Sequence, residues 1–377
     1  MKRTLFAAIA AALLCVGCSS EAPRTATLLA ESDYQTQIDG KPVGLYTLQS
    51  EGITMQVTNY GARIAGLWVP DRNGNQVDVV LGYPTIDQHL NGDGYAGPIV
   101  GRYGNRIGKG QFSLDGVDYQ TTINNGENHL HGGVGGWSTH AWNVDKVSEN
   151  SITMSYLSAD GEEGYPGNVV ITVTYTLNGN DLVLDYLATT DAPTVLNPTS
   201  HCYFNLHGDS EVSTNSHVLK INAAEYTPTD AGLIPTGEIA TLEGTPLDFR
   251  AATVIGERIN EDFEALKFGA GYDHNFVLDK SNPCESGLTE AAVVYEPANG
   301  IEMTILTDQV ALQFYSGNFF DGTSIGKGGK PLCYRAGIAL EAQGYPDAPN
   351  HENFPSRVLR PGEEYTQQTV YSFSVVE

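Results

Sequence analysis

The chain has 377 residues, with 20 lysines and arginines against 45 aspartates and glutamates and a formal charge of −25. That balance excludes sequence-independent nucleic-acid binding, which needs cations to neutralise phosphates, and it excludes a polybasic membrane patch. With 41% hydrophobic residues, 42 glycines and 18 prolines, the chain has core enough to exclude bulk disorder, and its turn-rich, helix-poor composition reads as all-β.

Lys2 and Arg3 precede an uncharged apolar run from Leu5 to Val16, shorter than the roughly 20 residues of a membrane-spanning helix. Gly17-Cys18-Ser19-Ser20 follows. The order resembles a bacterial lipoprotein signal peptide over residues 1–17, cleaved before a lipidated Cys18; the alternative is an ordinary secretory peptide cut nearby. It implies an exported protein held on the periplasmic side of a membrane, the outer one if the source is Gram-negative, and touching it only through the N-terminal lipid. Residues 18–30 are small, polar and unpatterned, as a tether should be, and one large domain is expected over residues 31–377. Three cysteines then remain, Cys202, Cys284 and Cys333. They allow at most one disulfide and supply no CxxC zinc spacing.

Along the domain, alternation with period two recurs. Ile53, Met55 and Val57 mark an early strand. Asp71-Arg72-Asn73-Gly74-Asn75 lacks the closing glutamate and glycine placement of a calcium loop and reads as a hairpin turn. Asn128-His129-Leu130-His131-Gly132-Gly133 puts two histidines at i and i+2. On a strand both would share a face, which suits a metal pair, though no third ligand is evident. The alternatives are a strand end entering a glycine turn, or one histidine facing a polar pocket. Ile152, Met154 and Tyr156 form a strand. Asp160-Gly161-Glu162-Glu163-Gly164 reads as a solvated acidic loop with a weak possibility of calcium. Val169 to Leu177 and Leu182 to Ala188 make a hairpin about Asn178-Gly179-Asn180.

In the segment from Asn197 to Leu206, His201, Tyr203 and Asn205 share one parity, and Cys202, Phe204 and Leu206 share the other. Neighbours in a strand face opposite ways, so Cys202 and His201 cannot form a thiol–imidazole pair, and a core Cys202 leaves His201 looking into a cleft. Ala252 to Leu266 carries the one tolerable helical pattern. A second hairpin runs through Val293 and Tyr295, turns at Asn299-Gly300 and returns through Ile301, Met303 and Ile305. Gln313 shares a face with Ala311 and Tyr315, opposite Leu312 and Phe314. Glu341 shares one with Ala339 and Gln343, opposite Ile338 and Leu340. A carboxylate ending an apolar strand is a candidate general base.

Taken in order, Gly101–Ile107 (GRYGNRI), His129–Gly133 (HLHGG), Gly164–Asn168 (GYPGN), the His201 strand, Leu233–Gly237 (LIPTG), Gly271–Phe276 (GYDHNF), Gln313–Phe319 (QFYSGNF) and the Glu341 strand resemble the aldose 1-epimerase (galactose mutarotase) family from about Ile38 to the C-terminus. The resemblance implies a large, mostly antiparallel β-sandwich with an open sugar-binding cleft and interconversion of the α and β anomers of free hexoses such as glucose and galactose. It implies His201 as general acid, Glu341 as general base, His131 on the ring-oxygen side, and Asn105, Arg106, Asp273 and Gln313 as hydroxyl-binding residues. No cofactor or metal is implied, and the partner is a small sugar, with the chain a monomer or dimer. Ala342, Gly344 and Tyr103-Gly104 depart from the family pattern and bear on sugar preference. Two readings compete: a lipid-tethered sugar-binding protein without catalysis, and a hexose-6-phosphate epimerase, which calls for several basic residues at the cleft. A glycosidase calls for two carboxylates where this chain pairs one with a histidine.

Overall fold

The computed structural model describes residues 23–92 and 95–377; Leu5–Val16 and Cys18, on which the signal-peptide reading rests, lie outside them. Two antiparallel sheets dominate. The larger has nine strands, in the order Asn143–Val147, Ser151–Ser158, Val169–Asn178, Asp181–Thr190, Tyr365–Val375, Ile301–Thr307, Thr289–Tyr295, Val218–Ile221 and Thr253–Val254. The second has six, in the order Tyr203–Phe204, Ile338–Gln343, Ala311–Tyr315, Asp273–Leu278, Ala223–Thr227 and Ala240–Thr241. A four-stranded sheet over Leu45–Asp78 adds Leu48, Met55, Ile64 and Leu67 to the main core. The expected all-β sandwich is the fold observed.

Alternation explains the layers. Ile171, Val173 and Tyr175 of the large sheet share one core with Leu312, Phe314, Ile338 and Leu340 of the six-stranded sheet. The intervening positions Gln313 and Glu341 therefore point out of that core, on the opposite face. The hairpin about Gly179 pairs Asn178 with Asp181, and the one about Asn299-Gly300 pairs Tyr295 with Glu302. Asp71 closes its turn by accepting from the Asn73 and Asn75 amides, both at 2.8 Å.

Three expectations change. The helical pattern over 252–266 yields an α-helix only at Glu264–Gly269. Thr253 and Val254 pair with Leu219 and Val218 instead, and a 3-10 turn at Ile255–Glu257 and a turn closed by the Glu261 amide on the Arg258 carbonyl intervene, with Ile255 and Ile259 reaching the core. The acidic loop is not a solvated one. Glu162 accepts from the Tyr156 and Ser158 hydroxyls at 2.6 Å, and Glu163 accepts from the Val134 and Gly135 amides, so both carboxylates bind their own chain. The end of the expected tether is docked: the Arg24 amide donates to the Asn75 side-chain oxygen and the Arg24 carbonyl accepts from the Gln76 amide, while the Leu29 backbone exchanges bonds with the Gln56 side chain. Residues 24–29 thus belong to the domain edge. All three described cysteines are free, with Cys202 buried in the core as its parity requires.

Candidate active site

The outer face of the six-stranded sheet floors a cleft of about 310 Å³ lined by Asn105, Arg106, His131, His201, Asp273 and Glu341 at one end. Register places them. Glu341 pairs across the sheet with Gln313, and Gln313 with Asn275. One step along, Tyr203, Ala339, Tyr315 and Asp273 form the neighbouring row. His201, two residues before Tyr203, comes level with Glu341, and its Nε2 lies 3.8 Å from Glu341 Oε1.

Glu341 is 2% exposed, and its Oε2 has no protein partner. Burial pushes its carboxyl up to about 7; His201 and Arg106 pull the other way, and Asp273 adds to the rise. A carboxylate that is reluctant to stay ionised, and within reach of neutral pH, suits a general base.

His131 sits at φ 52°, in the left-handed region, so it leaves the strand that ends at Leu130. Its amide donates to the Asn105 carbonyl at 3.0 Å, and its Nδ1 accepts the Asn105 N–H at 3.1 Å. An accepting Nδ1 in a neutral ring fixes the proton on Nε2. Burial, with help from His201 and Arg106, holds the ring well below the ordinary histidine range. Gly132 permits this path, since a Cβ there would fall 1.8 Å from the Gly101 carbonyl.

The histidine pair of the sequence does not form. His129 turns into the core, with Nδ1 on the Thr122 carbonyl and Nε2 on the Tyr165 hydroxyl, both at 2.6 Å. The strand is too short to keep the two rings on one face, so the polar-pocket alternative is the one realised. His131, His201 and Glu341 do bring three ligand-type atoms within 4.8 Å of one another. With Nδ1 of His131 occupied and Nε2 protonated, however, that ring offers a donor hydrogen rather than a lone pair.

Arg106 Nη1 lies 3.7 Å from Asp273 Oδ2, and its Nε donates to Asn125 at 3.2 Å. Gln313, beside Glu341 in register, is not among the residues that line the cleft and donates to Asp273 Oδ1 at 2.6 Å. Asn125 and Tyr95 were not legible in the sequence. The Tyr95 ring lies 4.8 Å from His131 and 5.7 Å from His201 and covers both. It carries no local pattern, whereas the parity of Tyr203 and Tyr315 did place them on the cleft face.

A family model described as aldose 1-epimerase matches residues 44–372. The chain belongs to the aldose 1-epimerase family. It is 41% identical to a galactose mutarotase of Homo sapiens over 89% of this chain and 95% of that one. It is 35% identical to an aldose 1-epimerase of Escherichia coli K12 over 89% and 96%. Among solved structures, a GalM/aldose epimerase homologue from C. elegans superposes with a TM-score of 0.82 at 33% identity, covering 89% of this chain and all of that one. A galactose 1-epimerase from Lactobacillus acidophilus gives 0.79 at 28% identity, covering 91% and 97%.

Proposed function

We propose that this protein is a mutarotase: it interconverts the α and β anomers of free hexoses by opening and reclosing the ring. The observation that carries the reading is the buried Glu341–His201 pair, 3.8 Å apart at the floor of a polar cleft. Glu341 takes the proton of the anomeric hydroxyl while His201 gives one to the ring oxygen. The bond from C1 to the ring oxygen breaks and C1 becomes an aldehyde. After rotation about C1–C2 the same groups exchange protons in reverse, so the cycle balances without a co-reactant. The Nε2–H of His131 donates to the sugar, and Asp273, oriented by Arg106 and Gln313, accepts from a hydroxyl.

The lining argues against a sugar phosphate. Arg106 is the single cation on the cleft wall among the described residues, its charge shared with Asp273, and the far end carries Asp321. Polarimetry on glucose, galactose and their 6-phosphates tests the reading. The expected result is a rate above buffer for the free sugars alone. A wild-type rate equal to buffer, with sugar still bound, establishes the non-catalytic binder instead.

The reaction needs no metal, because proton transfer between two side chains requires no Lewis acid. Activity is therefore expected to survive EDTA unchanged. Loss on chelation, restored by calcium or zinc, would refute this.

The N-terminal run supports export and lipidation at Cys18 with release of residues 1–17, leaving a short spacer before a domain that takes in residues 24–377. Intact-mass measurement on membrane-fraction protein is expected to find a diacylated Cys18 N-terminus. An unmodified N-terminus, or identical partitioning of Cys18→Ala, would refute it.

A further inference from the structure

The cleft is longer than its acid–base end. Beyond Tyr203 it continues along Phe320, Phe319, Leu332, Asp321 and Ser324. A volume of about 310 Å³ enters the ~300–1,000 Å³ range of pockets that hold drug-sized ligands, which exceed a single hexose. The wing is aromatic and continuous. Tyr203 packs edge-on against His201 at 5.0 Å and Phe320 at 4.8 Å, and Phe319 stacks on Tyr315 at 6.1 Å and 25°. Phe319 is 68% exposed, a large apolar side chain left facing the cleft mouth.

Strand order fixes which part of the sugar meets this wing. From one side of the sheet to the other, the strands carry Asp273, then Gln313 and Tyr315, then Glu341, then Tyr203, with His201 on the segment just before it. Given the proposed roles, the anomeric hydroxyl lies at Glu341 and the ring oxygen at His201. The C2 side of the ring then extends toward Asp273. C5 and C6, which follow the ring oxygen, extend past His201 toward Tyr203 and Phe320.

We infer that this wing is a subsite for a neutral substituent on C6, so that the enzyme also interconverts the anomers of reducing sugars bearing a second sugar ring there. Aromatic faces with a few polar groups at their edge suit a sugar ring, which presents C–H groups on its faces and hydroxyls at its rim. Asp321 keeps the occupant neutral: its carboxylate, hydrogen-bonded by the Thr323 amide and hydroxyl and held below its ordinary range by them, repels a phosphate at this position. The inference rests on the mutarotase reading and adds the substrate class.

The test measures anomer exchange by NMR for glucose, galactose, and the 6-O- and 4-O-β-glucosyl derivatives of each, using the full-length protein. For the parent hexose turned over faster, the 6-O-glucosyl derivative is expected within about tenfold of the parent in kcat/KM and ahead of the 4-O-glucosyl one. Phe320→Ala, which removes the ring packed on Tyr203, is expected to lower the 6-O-glucosyl rate about tenfold, the scale of one lost apolar contact, and to leave the parent hexose within twofold. Free hexoses turned over without their 6-O-glucosyl derivatives, 4-O-glucosyl derivatives equal or faster, or equal losses on all substrates in Phe320→Ala would each overturn the subsite while leaving the mutarotase reading intact. No exchange of either free hexose would remove that reading, and the subsite with it.

Discussion

Glu341→Gln is expected to lower the rate of anomer interconversion by at least about 10²-fold, the contribution of a general base, with galactose affinity close to wild type. The amide keeps the size and hydrogen-bonding reach of the carboxylate but cannot take the anomeric proton. Ground-state sugar needs only a partner at that position, so the loss falls on kcat rather than KM. In the wild type, kcat/KM should decline as the pH falls below about 7, where burial has placed the Glu341 carboxyl, because the base must be ionised to act. The same substitution should make the protein more stable above that pH. The carboxyl is raised from 4.5 to about 7 in the folded state, so the native protein holds a proton that the unfolded chain releases. The stability this gives is full below pH 4.5 and lost as the pH rises through 7. At pH 8 a neutral glutamine avoids a buried charge, a gain on the order of 3 kcal/mol that should vanish near pH 4. Thermal unfolding at the two pH values measures it. A wild-type rate in Glu341→Gln removes the base assignment; an equal change in stability at both pH values removes the electrostatic account of it.

His201→Asn is expected to cost a comparable factor, at least about 10², through loss of the ring-oxygen proton donor. His201 Nε2 is the ring nitrogen that lies 3.8 Å from Glu341 Oε1, and asparagine retains a hydrogen-bonding group without a transferable proton. Acid and base act on one step, so Glu341→Gln combined with His201→Asn should fall far short of the product of the singles, roughly 10²–10³ rather than 10⁴ or more. Losses that multiply would mean the two groups serve separate steps, and an unaffected single variant would shift the acid role to His131. That second outcome conflicts with the Nε2–H tautomer that the Asn105 amide imposes, since a ring held neutral by burial is a poor proton source.

Much of this arrangement was legible in the residues because each sheet buries one face. Once Cys202, Phe204, Ile338, Leu340, Leu312 and Phe314 were recognised as core, a side-chain period of two forced His201, Tyr203, Glu341, Gln313 and Tyr315 onto the opposite face. No knowledge of strand partners was needed. The family motifs marked Asn105, Arg106, His131 and Asp273 in the same way, as local strings. Local pattern or charge without a buried face misled: the helical pattern at 252–266 yielded to pairing of Thr253 and Val254 with a distant strand, and the acidic residues at 162–163 found hydroxyl and amide donors that no local rule supplies.

What alternation cannot supply is order across the sheet. His201 and Glu341 lie 3.8 Å apart because the chain sets their strands side by side after a long excursion, and sequence separation carries no trace of that adjacency. The rise of Glu341 follows from burial at the floor of a cleft built by several segments. The hydrogen bond from Gln313 to Asp273, the cover that Tyr95 lays over two imidazoles, and the aromatic wing beyond Tyr203 likewise depend on contacts between segments far apart in the chain. The sequence by itself determined which faces are apolar and which residues can carry protons, since both are properties of single residues and their nearest neighbours. Only the tertiary structure decided which of those residues meet and what dielectric surrounds them, because distance and desolvation belong to the packed molecule.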